Sequence, residues 1–300
     1  MVGSLALRSS LLYVGREEKT ARVRVYDLDG HVVSGGFSFR DARLGRSVAA
    51  GIAVDEDRRL WVADTPASRV RRFTLFGRED GGLGLDLDAP LAEGDAATLS
   101  VGNPDGPGLV RLPVAVAVEG NGEEGRLAVG CDGERRHAVQ LWDVERGYVL
   151  SPRPCGDPHG RYRGVRGVAL LGRFLYVAEA QAGRLQVFRD GSFHFAFSVP
   201  AGGDARFEPV GVAPLSDGRM VVATTGRTDA LLLVDSAGRL LRVLAESGDE
   251  EGRVRHPGDV VVEERASDAA TRIAVIDQDA ERVQVFTLEG RCYGAFRERA

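Results

Sequence analysis

Five histidines, at positions 31, 137, 159, 194 and 256, are the side chains of this sequence best suited to bind a transition metal or to carry a proton near neutral pH. His137, His159 and His256 fall in polar stretches between apolar runs. Three imidazoles from separate loops can hold zinc and leave a coordination position open. No His-x-His or Glu-x-x-His spacing links them, so a set of unrelated surface histidines fits the pattern better. The expected cofactor is none, with zinc or calcium as the ions that a metal site would take. A second chemistry is anion recognition. Arg43, Arg46, Arg111, Arg161, Arg163, Arg206, Arg253 and Arg255 cluster just ahead of short apolar runs, with Tyr162 and Phe207 among them. A planar guanidinium fork matches carboxylate and phosphate oxygens. Two acids, Asp259 and Glu119, stand in or beside otherwise apolar runs. No nucleophile elbow, phosphate-binding loop or dinucleotide-binding glycine pattern occurs, and no catalytic residue is assigned.

The elements that must position these residues are short strands. Gly51–Leu75 reads as three in succession, Gly51–Val54, Leu60–Ala63 and Arg69–Leu75, separated by polar turns. The pattern recurs six times, with first strands near Ser4, Gly51, Val114, Gly167, Gly211 and Asp259, roughly 44–64 residues apart, a spacing suited to four-stranded blades. The expected fold is all-β, a single six-bladed β-propeller of antiparallel blades over 1–300. The blades fall at about 1–45, 46–105, 106–155, 156–200, 201–248 and 249–300. In the second unit Ala97–Val101 is expected to be the fourth strand, behind an insertion over Gly77–Gly94. First strands are small and apolar throughout (Gly-Ile-Ala-Val, Val-Ala-Val-Ala-Val, Gly-Val-Ala-Leu), as expected where blades crowd an axis and cover one another. Outer strands are expected to be short and irregular. Unit one starts with its own innermost strand and unit six ends with its own outermost one, so the ring should close by apolar contact between those blades.

Bulk composition narrows the partners. The chain has 300 residues, 43% hydrophobic and 28% charged, with net charge −5. Without a cationic field, nucleic acid is a poor partner. Lys19 is the single lysine; the other residues of the Lys and Arg total are arginines. Three scattered cysteines, Cys131, Cys155 and Cys292, form no metal or disulfide pattern and suggest reduced thiols in a cytoplasmic protein. No apolar run reaches membrane-spanning length.

Three stretches resemble NHL repeats: GIAVDEDRRLWVADTPASRVRRF from Gly51, RGVALLGRFLYVAEAQAGRLQVF over 166–188 and TRIAVIDQDAERVQVF over 271–286. The approaches GPGLVRLPVAVAV (106–118) and EGRVRHPGDVVV (251–262) are similar too. The resemblance covers essentially the whole chain and implies a six-bladed propeller. It departs in the third and fifth units, whose turns CDGERRHA and TTGRTDA lack the arginine that elsewhere opens the third strand (Arg22, Arg69, Arg184, Arg282). Those arginines, with Asp64 and Asp277 at second-strand ends, read as turn-capping or ion-paired structure repeated with the blade. The resemblance implies a non-enzymatic scaffold that binds a protein, a peptide or a small anionic ligand through loops at one channel mouth, Arg46, Arg111, Arg161, Arg163, Arg206 and Arg255 forming the contact face. The alternative it implies is a metal-dependent lyase or hydrolase, of amidating-lyase or lactonase type, with His137, His159 and His256 as the ligands.

Overall fold

The structure, a computed structural model, describes residues 2–16, 20–42, 44–84, 106–121, 125–199, 206–226 and 229–297. Among them are six four-stranded antiparallel sheets and no helix, hence none long and apolar enough to cross a membrane. Blade 1 is β1 (Val2–Arg8), β2 (Leu11–Arg16), β3 (Ala21–Asp27) and β4 (Val32–Phe39). Blade 2 is β5 (Ala49–Val54), β6 (Leu60–Asp64), β7 (Arg69–Phe73) and β8 (Glu79–Gly84). Blade 3 is β9 (Pro113–Glu119), β10 (Arg126–Cys131), β11 (Val139–Asp143) and β12 (Gly147–Leu150). Blade 4 is β13 (Val165–Leu171), β14 (Phe174–Glu179), β15 (Arg184–Arg189) and β16 (Ser192–Phe197). Blade 5 is β17 (Glu208–Pro214), β18 (Met220–Thr225), β19 (Ala230–Val234) and β20 (Leu240–Ala245). Blade 6 is β21 (Pro257–Glu263), β22 (Arg272–Asp277), β23 (Arg282–Phe286) and β24 (Cys292–Arg297).

Each blade is a meander, because tight polar turns return the chain at once. Asp190–Gly191 between β15 and β16 shows why: both residues have positive φ, 50° and 77°, as a two-residue hairpin turn matched to strand twist requires. A meander alone leaves its apolar faces wet. Here six core clusters fill the six gaps between neighbouring blades. One packs Tyr13, Val23 and Phe39 of blade 1 on Ile52, Val62 and Phe73 of blade 2. The first strands must approach closely at the axis, and small residues permit it. A Cβ on Gly51 would stand 2.8 Å from the Ala115 Cα of blade 3. The ring closes without strand exchange: Leu5, Leu12, Val14 and Tyr26 of blade 1 pack on Ala274, Ile276, Val283 and Val285 of blade 6. Hydrogen bonds cross that seam, among them Leu5 N–H to Asp259 Oδ2 at 2.9 Å and Ser10 Oγ–H to Glu263 Oε1 at 2.6 Å.

Three expectations are corrected. The outer strand of blade 2 is β8, not 97–101; it follows β7 through a tight turn in which Gly77 N–H donates to Thr74 O at 2.9 Å. Its sequence, EDGGLG, has low strand propensity. It pairs because Arg71 and Arg72 of β7 bind Glu79 and Asp80 across the ladder. Positions 85–105, which contain 97–101 and most of the expected insertion, lie outside the described residues. Outer strands are irregular, since every pairing of a third with a fourth strand carries a register shift, but they are not uniformly short: β4 has eight residues. Finally, Asp64 pairs with Arg71 at 3.2 Å, not with Arg69.

That last pair belongs to a clasp seen most fully in blades 4 and 6. The acid ending the second strand accepts an N–H from the segment entering the first strand: Val48 for Asp64, Arg163 for Glu179, Arg255 for Asp277. Arg184 and Arg282 bind Glu179 and Asp277, each at 2.8 Å. A third-strand glutamine ties the incoming loop: Gln140 accepts Gly108 N–H, Gln186 accepts Cys155 N–H and Gln284 accepts Gly252 N–H. In blade 2 the glutamine position holds Arg71, which reaches back to the acid. Asp64, Glu179 and Asp277, with Arg71, Arg184 and Arg282, are thus internal fastenings.

Candidate binding site at the channel mouth

All six first strands begin at the same end of the axis, and there they surround a cavity of about 460 Å³. Its position follows from the clasps, which pin the loops just upstream of β5, β13 and β21. The residues entering β9 and β21, Leu112 and His256, adopt left-handed φ of 48° and 52° immediately before a proline. Each is held by the preceding blade: Leu112 N–H by Ser68 Oγ at 3.3 Å, His256 N–H by Asp229 Oδ2 at 3.0 Å.

The polar lining comprises Arg166 on β13, Gln181 after β14, Arg206 and Glu208 at the entry to β17, Thr225 ending β18, and His256, Asp259 and Gln278 of blade 6. Of this polar lining, Asp259 also borders a second cavity of about 230 Å³ whose other lining is aliphatic or proline, including Leu5, Ile52, Val118, Leu170 and Val262. Burial raises its carboxyl pKa from 3.8 to about 6, against the opposing pull of the Leu5 and Val260 N–H donors.

The residues expected to do chemistry are distributed unevenly. Of the six face arginines, Arg206 lines the cavity. Arg46, Arg111 and Arg161 are exposed on loops entering β5, β9 and β13. Arg163 pairs with Glu134 at 3.2 Å and Arg255 with Asp249 at 2.7 Å. Arg253 donates to Ser247 O at 3.0 Å, and Arg43 lies outside the described residues. Tyr162 and Phe207 are core residues rather than a stacking surface: Tyr162 is fully buried, its hydroxyl donating to Pro152 O at 2.9 Å, and Phe207 fills the gap between blades 4 and 5. Glu119 ends β9 at the far side of the ring, accepting Gly172 N–H at 2.8 Å and pairing with Arg126.

The three loop histidines are not assembled. His137 is half-buried, its carbonyl accepting Gln140 Nε2–H at 3.1 Å; His159 is exposed in the turn capped by Asp157; His256 is at the mouth. Among the described residues, the metal-ligating groups that come within 4.8 Å of one another are Asp27, Asp29 and His31, in an exposed hairpin turn, and none of the three histidines joins such a set. The cysteines are unpaired with one another, and burial pushes the Cys131 thiol up to about 11, far from reactive. Sequence reasoning missed Arg166. Its signal was available, an arginine inside the apolar strand VRGVALL.

No family model matches the sequence, and no curated protein matches it. Solved structures do resemble the fold. A chain of a nidogen–laminin complex is 14% identical over 96% of this chain and 93% of its own, with a TM-score of 0.63. Virginiamycin B lyase from Staphylococcus aureus is 11% identical over 100% and 85%, TM-score 0.59. The WD40 β-propeller domain of Doa1 is 13% identical over 100% and 83%, TM-score 0.59. At such identities the likeness speaks for architecture and not for activity. What this chain shares with them is the β-propeller fold, here with six blades.

Proposed function

We propose that the protein is a non-enzymatic, NHL-like propeller scaffold that binds an acidic peptide segment of a partner protein at this mouth. One observation carries the reading. Arg46, Arg111, Arg161, Arg166 and Arg206 come from four blades to one end of the ring, and none forms an ion pair with a described residue. Arginines elsewhere, such as Arg184, Arg219 and Arg282, are consumed by carboxylates. Guanidinium groups left without carboxylate partners around a concavity suit a ligand that brings its own. A fluorescein-labelled hexaglutamate peptide tests it by fluorescence polarisation. Binding that weakens with salt, and that falls at least tenfold in the double variant Arg166→Glu/Arg206→Glu, is expected. Equal binding of the variant, or no binding by the native protein, overturns the reading. The same preparation tests the alternative of a metal-dependent lyase or hydrolase: stoichiometric zinc or calcium lost on His256→Ala would replace the scaffold with an enzyme.

A further inference from the structure

The cavity inside the arginine rim has a chemistry of its own. Its titratable groups are gathered on one side, Arg166 from blade 4, Arg206 and Glu208 from blade 5, His256 and Asp259 from blade 6. Blades 1 to 3 contribute Gly3, Ala50, Gly51 and Val114–Val116, a wall nearly free of long side chains. Asp259 stands where this cavity meets the aliphatic passage. Oδ2 accepts Leu5 N–H and Oδ1 accepts Val260 N–H, both at 2.9 Å, so the carboxylate is held in one orientation. A carboxylate offers about four acceptor sites, of which these bonds use two. No arginine, lysine or histidine forms an ion pair with Asp259 among the described residues. Asp259 is partly buried in the cavity wall. A negative charge there without a counter-charge is costly, and a cationic ligand relieves that cost. Along the axis the site is therefore anionic at its floor and cationic at its rim.

Resting on the rim reading above, we propose that the channel mouth captures the free N-terminus of an acidic peptide, its α-ammonium at Asp259 and its following carboxylates at Arg166 and Arg206. An ammonium brings three donors to the acceptor sites left on Asp259. The volume of about 460 Å³ takes two or three residues, within the range of sites that enclose small ligands. The passage beneath takes an aliphatic first side chain.

Two peptides test the inference: Val-Glu-Glu-Glu-Glu with fluorescein at its C-terminus, and the same peptide acetylated at its N-terminus. With the native protein, the free-amine form is expected to bind at least tenfold more tightly, and Asp259→Asn to abolish that preference while leaving the acetylated form unchanged. Equal affinity of the two peptides for the native protein overturns N-terminal capture and leaves the acidic-peptide reading standing. Binding of neither peptide overturns both. The comparison on the native protein needs no variant, so a folding defect in Asp259→Asn does not blunt it.

Discussion

Blade 6 carries two strand aspartates, Asp277 fully buried and Asp259 half-buried in the cavity wall, and treats the two in opposite ways. Asp277, at the end of β22, is met by donors on every side. Arg282 Nε–H reaches it at 2.8 Å, Gln284 Nε2–H at 3.0 Å and Arg255 N–H at 3.1 Å. Asp259, on β21, receives two backbone N–H groups and no cation. Asp277 is fully buried and needs compensation for its charge, while Asp259, half-buried, is desolvated in part. The first carboxylate is balanced inside the chain, and its role is exhausted by holding β21, β22 and β23 together. The second is left for something outside the chain to balance. The distinction separates an acid that belongs to the fold from one that a ligand can use, although both lie in one sheet.

The largest expected effect breaks the fold half of this comparison. Asp277→Ala strands Arg282, whose side chain is 10% exposed, and should destabilise the protein by about 3–5 kcal/mol, as removal of one member of a buried pair does. Urea denaturation reads it as a lowered midpoint. Blade 5 shows how the clasp can be dispensed with: Thr224, Ala230 and Leu232 occupy the positions of Asp277, Arg282 and Gln284. Moving them into blade 6, as Asp277→Thr/Arg282→Ala/Gln284→Leu, should recover at least half of the loss. A triple variant no more stable than Asp277→Ala would mean that the bonds to the loop at 250–253, and not the stranded charge, dominate.

The next effect has the opposite sign. Because the Asp259 carboxyl titrates near 6 in the folded ring and near 3.8 in the unfolded chain, it is protonated in both states at lower pH and ionises first in the unfolded chain as pH rises. Stability is thus lost between about pH 4 and pH 6, to an extent on the order of 3 kcal/mol. The titratable groups sharing its cavity are Arg166, Arg206, Glu208 and His256; the passage below is aliphatic. Asp259→Asn should be more stable than the native protein at pH 7, by about 1–3 kcal/mol after the loss of one backbone bond, and the difference should vanish at pH 4. The surface acids Asp143, Asp157 and Asp235 are held below their ordinary values chiefly by backbone N–H groups and favour folding at higher pH. The measurement therefore compares native and variant proteins at each pH. A difference independent of pH would show that Asp259 gains its proton no more readily than an exposed acid.

The repeat of short apolar strands was legible because burial on both faces forces the same composition on every first strand, so Gly51–Val54 and Gly167–Leu170 announce one another. β8 was not, because EDGGLG is held by arginines on a neighbouring strand and not by its own propensity. Asp259 could be marked as an acid within an apolar run, whereas its lack of a counter-charge depends on what five other blades bring to the axis. The clasping glutamines Gln140, Gln186 and Gln284 bind backbone about 32 residues upstream, and a backbone amide leaves no mark in the sequence.

Thr224 offers a milder contrast with Asp277. Its Oγ accepts Glu208 N–H at 3.2 Å, a neutral bond at the position where blade 6 uses a carboxylate. Thr224→Ala should cost about 1 kcal/mol. A loss as large as that of Asp277→Ala would mean that blade 5 depends on its second-strand terminus as heavily as blade 6 does.

The smallest effect concerns Arg163, an arginine of the loop entering β13 whose setting contrasts with that of Arg282. Arg163 pairs with Glu134, but both side chains are about half exposed, at 52% and 51%. Such a pair is worth roughly 0–1 kcal/mol, since water screens it and holding two long side chains costs entropy. Arg163→Ala should leave the urea midpoint nearly unchanged, where Arg282→Ala lowers it clearly. For the acidic peptide the order reverses. Arg163 has only to exchange Glu134 for a ligand carboxylate, so its loss should weaken hexaglutamate binding about threefold, while Arg282, enclosed in the clasp, contributes nothing directly. If Arg163→Ala leaves the peptide affinity intact, the contact face shrinks to the arginines that have no internal partner, with Arg166 and Arg206 at its centre.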